Sequence, residues 1–124
     1  MTGNDIFRAA LAIMSESPEE SDLGDYALQW LNLLLQECLT AENAWREQHE
    51  RELLEAAPLL AVLSEEVPYC DKLTRVALPY GLAANLWTDD DNDYRANKWM
   101  TLYRDAVSEA GTVSTVITDI TATR

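Results

Sequence analysis

Residues 72–110 constrain the fold more than any other stretch of the chain. Apolar residues recur there at steps of three and four, first as Leu73, Val76, Ala77, Tyr80, Ala84 and Trp87, then as Ala96, Met100, Tyr103 and Val107. That spacing belongs to two helices that each bury one face. Thr88, Asp89, Asp90, Asp91, Asn92 and Asp93 lie between them. An Asp or Asn there can accept the free N–H groups of the second helix's first turn, so the stretch predicts an antiparallel helical hairpin. Gly111 is expected to end it, at a position that usually needs a left-handed residue. Pro79 and Gly81 fall inside the first helix. The proline should bend it, either wrapping the core or setting an angle between subunits, and the glycine offers close approach to another helix or chain.

Upstream, Ile6, Phe7, Ala10, Leu11 and Met14 share one face of a short helix that starts near Asn4 or Asp5. Residues 15–24, with Pro18, Glu19, Glu20 and Gly24, read as a polar loop. A second helix is expected over 25–38, capped by Asp22 or Asp25. Its stripe is Tyr26, Trp30, Leu33, Leu34 and Cys38, widened by Ala27, Leu31 and Leu35, and so wide an apolar face predicts a central position. Residues 41–55 are dense in charge and predict a solvated helical extension, with Glu47 and Arg51 spaced as a supporting pair. Pro58 and Pro68 bracket 59–63, which predicts an extended connection carrying an apolar plug onto the hairpin.

The tail changes character. Thr112, Thr115, Thr118, Thr121 and Thr123 alternate with Val113, Val116, Ile117 and Ile120, and β-branched residues favour extended backbone. The expectation is therefore an all-α fold, a small bundle of about four helices over 1–111, followed by an extended tail over 112–124. That tail would be a flexible terminus or a strand added to another subunit.

Composition narrows the functional classes. Nine basic against 22 acidic residues give a net charge of −13, which repels phosphates and disfavours a direct nucleic-acid binder. At 124 residues and 48% hydrophobic the chain can build one modest core. Cys38 and Cys70 fit buried small hydrophobes in a reducing compartment. No uncharged apolar run approaches the roughly 18 residues of a membrane span, and a soluble protein made in the cytosol is expected.

Chemistry-bearing motifs are scarce. His49 stands among Glu47, Glu50 and Glu52, yet a helical zinc motif needs a second His or nearby Cys ligands. Asp89, Asp91 and Asp93 match the first alternate positions of a calcium loop, but Tyr94 replaces its glycine and Met100 its bidentate glutamate. Neither a phosphate-binding glycine loop nor a nucleophile motif occurs. The sequence predicts no enzyme, no cofactor and no metal.

The run LTRVALPYGLAANLWTDDDNDYRANKWMTLYRDAVSEA (73–110), with DYALQWLNLLLQECLTAENAWR (25–46) before it, resembles the head-to-tail connector, or adaptor, proteins of tailed bacteriophages and prophages. The marks are a leucine-rich helix with Asn, a Leu-Pro-Tyr-Gly-Leu-Ala-Ala segment, an acidic turn and a Tyr-bearing last helix. The resemblance implies a homo-oligomeric ring, commonly a dodecamer, in the virion neck beneath the portal protein. Such a ring extends the DNA channel without binding DNA specifically, and supports a stopper or tail-completion protein. On that reading Val113, Val116, Ile117 and Ile120 contact a partner, and Asp89, Asp90, Asp91 and Asp93 form a channel or docking rim. The alternative from another class is an acidic DNA mimic that inhibits a basic host protein. A small acid/base enzyme would rest only on carboxylates that the sequence does not bring together.

Overall fold

The computed structural model describes the backbone at residues 1–15, 24–89 and 91–122, with side chains at 1–15, 24, 26–88 and 91–111. Four helices follow in order: α1 (Gly3–Met14), α2 (Gly24–Gln48), α3 (Leu78–Asp89) and α4 (Asp93–Ala122). A π-helical turn, Leu73–Ala77, runs directly into α3. The fold is a small all-α bundle; among the described residues the β-type pairing is a single isolated bridge between Thr2 and Glu66.

α1 begins where its sequence allows a reciprocal cap. Thr2 accepts from the Asp5 N–H, and Asp5 accepts from the Thr2 N–H at 2.9 Å, so two otherwise unpaired donors are satisfied. Ile6, Phe7, Ala10, Leu11 and Met14 are all buried, as the helical spacing predicts. The N-terminus is tied to the long connection: the Asn4 N–H donates to the Leu63 carbonyl at 2.7 Å and the Val67 N–H to the Met1 carbonyl at 2.9 Å. A Cβ on Gly3 would lie 2.8 Å from the Leu63 oxygen, so this close crossing needs glycine.

The predicted hairpin is α3 and α4. Its turn uses a left-handed residue at Asp91, with φ 56°, and Asn92 accepts from the Arg95 N–H at 3.3 Å, the capping role expected of this stretch. Gly81 is the close-approach point. A Cβ there would sit 2.7 Å from the Tyr103 ring and 2.9 Å from Leu34. Pro79 is fully buried. The π-helical turn precedes it, with the Leu78 N–H reaching back to the Leu73 carbonyl. Such a turn loosens the ladder where proline removes a donor and crowds the preceding turn.

α2 and α4 run parallel: Cys38 meets Tyr103, while Ala41 and Ala44 lie against Gly111 further along both helices. The connection over 51–70 is held on α2 by paired side-chain amides. Asn32 donates to the Leu60 carbonyl and accepts its N–H, at 3.0 and 2.8 Å. Asn43 does the same to Leu54 at 3.0 and 2.8 Å. Because Asn43 takes the earlier residue, this strap runs antiparallel to α2. Of the apolar plug expected from the Pro-bracketed segment only Leu60 is buried, while Leu59 and Val62 are exposed, and the segment is fastened to α2 and to the start of α1 rather than to the hairpin.

Several expectations need correction. α2 continues to Gln48, and its extension is not simply solvated, since Glu42 is only 1% exposed. Arg51 lies over the Trp45 ring at 5.2 Å instead of forming the anticipated pair with Glu47. Tyr26, Leu33 and Val76 are exposed; the stripe read for α2 was wider than its neighbours cover, and the π-helical turn shifts the register around Val76. Gly111 does not end α4. It is helical, and a Cβ there would make ordinary van der Waals contact with Ala41 at 3.5 Å. The backbone over 112–122 is helical, not extended. An established helix adds residues without a new nucleation step, and the β-branched penalty is below about 1 kcal/mol per residue. The loop over 16–23, including Asp22, lies outside the described residues.

Candidate interaction surfaces

Two charged, aromatic clusters sit at opposite ends of the bundle. The first is closed. Near the end of α2, Cys70 donates its N–H to one Glu42 oxygen at 2.7 Å, and Arg46 Nε donates to the other at 2.6 Å. The remaining guanidinium nitrogens reach the carbonyls of Glu52 at 2.9 Å and Pro68 at 2.7 Å. A buried carboxylate is tolerable only when both oxygens are satisfied, and here they are. Tyr69 donates to the Leu35 carbonyl at 2.6 Å, with its hydroxyl held neutral well above the ordinary range by burial and then by the nearby Cys38 and Glu42. His49 stacks on Trp45 at 4.2 Å and its Nδ1 lies 2.8 Å from the Trp45 carbonyl. The cleft beside these groups, about 320 Å³, is lined by Glu42, Trp45, Arg46 and Arg51 among others. Glu42 and Arg46 are occupied there by one another and by the chain's own backbone, and Arg51 lies over the Trp45 ring.

A second buried relay ties α2 to α4. Tyr103 donates to Glu37 at 2.7 Å, which leaves its oxygen to accept from the Cys38 thiol, 3.4 Å away. Burial is the main reason that the Cys38 thiol is pushed up to about 11 and Tyr103 well above its usual range. Cys70 is also raised by burial. Neither thiol is poised as a nucleophile, because nucleophilic chemistry needs thiolate.

The other cluster is open. Trp87 and Trp99 stack with centroids 6.0 Å apart, and Tyr80 meets Trp99 edge-on at 5.1 Å. Arg95 lies over Trp87 at 5.7 Å and Lys98 over Trp99 at 5.8 Å, within the range of a cation–π contact. Trp87, Trp99, Arg95 and Lys98, with Ile13, Ser15 and Tyr94, line a cleft of about 390 Å³ where α1 ends and α4 begins. Tyr94 is 81% exposed. Among the described residues neither Arg95 nor Lys98 forms an ion pair.

The sequence-predicted site residues divide by what is described. Asp91 and Asp93 are exposed in and after the turn, and Asp93 lies in the first turn of α4. The Asp89 side chain and Asp90 lie outside the described residues. The backbone of Val113, Val116, Ile117 and Ile120 is in α4, while their side chains lie outside the described residues. Glu42 and the Trp87–Trp99 cleft were not singled out as sites by the sequence. The i, i+4 spacing of Glu42 and Arg46 could have flagged the pair, but not its burial. Among the described residues there is no group of three or more potential metal ligands, and no helix long and apolar enough to cross a membrane. Compared with protein-family models, curated proteins and solved structures, the chain matches none.

Proposed function

We propose that this chain is a subunit of the head-to-tail connector of a tailed bacteriophage, forming a ring below the portal and carrying no catalytic activity. The observation that supports this best is the reach of α4. Gln48, the last residue of α2, donates to the Gly111 carbonyl at 3.4 Å. α4 therefore continues past the level at which the parallel helix α2 ends, to Ala122, a further run of about 16 Å. Its spacing is that of a docking helix. Val113, Val116, Ile117 and Ile120 occupy positions i, i+3, i+4 and i+7, one face of a helix. Tyr103, Ala110 and Ile117 recur at steps of seven, as do Ala106, Val113 and Ile120, so the stripe of the bundle is carried into the extension.

A helical docking arm replaces the strand addition anticipated from composition, and it keeps the same four residues as partner contacts. The acidic balance suits a channel wall through which DNA slides without sticking. Asp89, Asp90, Asp91 and Asp93 remain the proposed rim, of which Asp91 and Asp93 lie at the opposite end of the bundle from the arm.

The test is negative-stain imaging of the protein mixed with portal particles of the same virus, beside a chain truncated after Gly111. The full chain is expected to add a ring at the portal's narrow end, and the truncated chain to stay folded, by its melting transition, but lose the ring. A full chain that never joins the portal overturns the connector reading. A truncated chain that docks normally removes the arm from it.

A further inference from the structure

The two exposed ends of the bundle complement one another. At the end where α4 begins, the open cleft has an indole floor of Trp87 and Trp99, and Arg95 and Lys98, three residues apart, at its rim. At the other end the strap carries Glu52, Leu53 and Glu55. All three are exposed, Leu53 by 49%, and the carboxylates are again three residues apart. The strap cannot drift from that place. Asn43 holds the Leu54 backbone through two hydrogen bonds, and Arg46 holds the Glu52 carbonyl. Arg51, next in sequence to Glu52, is folded back over Trp45.

Within one subunit the two surfaces cannot meet. Arg95 opens α4, and the strap is fixed at the level of Gly111, about 24 Å further along that helix at its usual rise. Two different, complementary patches on opposite ends can therefore meet only between copies, either reciprocally in an antiparallel two-fold pair or once per neighbour in a heterologous contact that closes into a ring or grows as a chain.

We propose that copies of this chain bind one another head to tail. Leu53 of one copy enters the Trp87–Trp99 cleft of the next, with Arg95 and Lys98 facing Glu52 and Glu55. The occupant is a second copy because the chain itself supplies an apolar residue flanked by acids, the chemistry that an indole floor with a cationic rim accepts. The contact deepens the connector reading by naming the surfaces between neighbouring subunits, yet it can fail or stand separately. Portal docking runs through the arm, whereas this contact needs no portal.

The experiment is sedimentation velocity on the full chain over a wide concentration range, with Arg95→Glu/Lys98→Glu and Leu53→Asp as variants. The wild type is expected to assemble with rising concentration and to weaken at high salt. Each variant should stay monomeric, with affinity lowered by at least about tenfold. A mixture of the two variants should stop at a one-to-one dimer, since it holds one intact cleft and one intact strap that fit each other. All substituted side chains are exposed, and an unchanged melting transition checks each fold; Glu52→Lys/Glu55→Lys replaces Leu53→Asp if the latter melts early. A wild type that remains monomeric throughout, a variant that assembles like the wild type, or a mixture that stays monomeric each overturns the inference. A ring on the portal without self-association would leave the connector reading standing and remove this contact. Self-association without portal docking would do the reverse.

Discussion

Arg46 and Arg95 are the same residue put to opposite uses at opposite ends of the bundle. Arg46 spends its guanidinium on Glu42 and on two backbone carbonyls of the connection, so its hydrogen bonds fix where the chain goes. Arg95 rests on an indole beside an open cleft, and among the described residues it has no carboxylate partner. A satisfied cation in a packed corner belongs to the fold, because breaking the set strands a buried charge. An exposed cation resting on a ring, even a largely buried one such as Trp87, adds little to stability and keeps its donors for a partner. The difference separates residues that build this protein from residues that it presents.

The comparison breaks most severely at Glu42. Replacing Glu42 with Ala leaves Arg46 enclosed without its anion and the Cys70 N–H without an acceptor, and should destabilise the fold by about 3 kcal/mol or more in urea unfolding. A loss below about 1 kcal/mol would mean that the closed end is no more structural than the open one.

Gly81→Ala is next. A methyl group 2.7 Å from the Tyr103 ring and 2.9 Å from Leu34 forces α3, α4 and α2 apart, and should cost about 1–3 kcal/mol. An unchanged melting temperature would show that the ring moves aside freely.

Alkaline pH should have a smaller and graded effect. Cys38, pushed up to about 11 from 9.0 by burial, and Tyr103, raised from 10.0 chiefly by burial, keep their protons longer in the folded chain than in the unfolded one. The unfolded state then binds fewer protons, so stability is intact below about pH 9 and declines as pH rises through the unfolded values toward the folded ones. Tyr103→Phe should flatten part of that decline in unfolding measured from pH 8 to 11. A wild type whose stability does not fall over that range would contradict the buried relay.

Much of this was legible in the sequence, and the misses share a cause. The face of α1, the hairpin and its capped turn follow from spacing and side-chain chemistry within a few residues, and those features are local. Glu42 reads as solvated because helical spacing says which residues share a face but not what a distant loop lays over it. Its partner, the Cys70 N–H, arrives 28 residues later. Gly111 reads as a stop because glycine is common at helix ends; the packing of α4 past it against Ala41 and Ala44 is not local to its sequence. Val113, Val116, Ile117 and Ile120 fit a strand by composition and a helix by spacing, and the helix that already ran into them prevailed. The open cleft was invisible because Trp87 and Trp99 belong to separate helices that only the turn brings together.

The most direct measurement is equilibrium urea unfolding of Arg46→Leu and Arg95→Leu side by side. The Arg46 variant should lose about 3 kcal/mol or more, because a buried carboxylate and two carbonyls lose their donors. The Arg95 variant should stay within about 0.5 kcal/mol of the parent, as expected for an exposed side chain. Equal losses at the two positions, or a larger loss at Arg95, would contradict the division of the molecule into a closed end that holds it together and an open end that it offers to others.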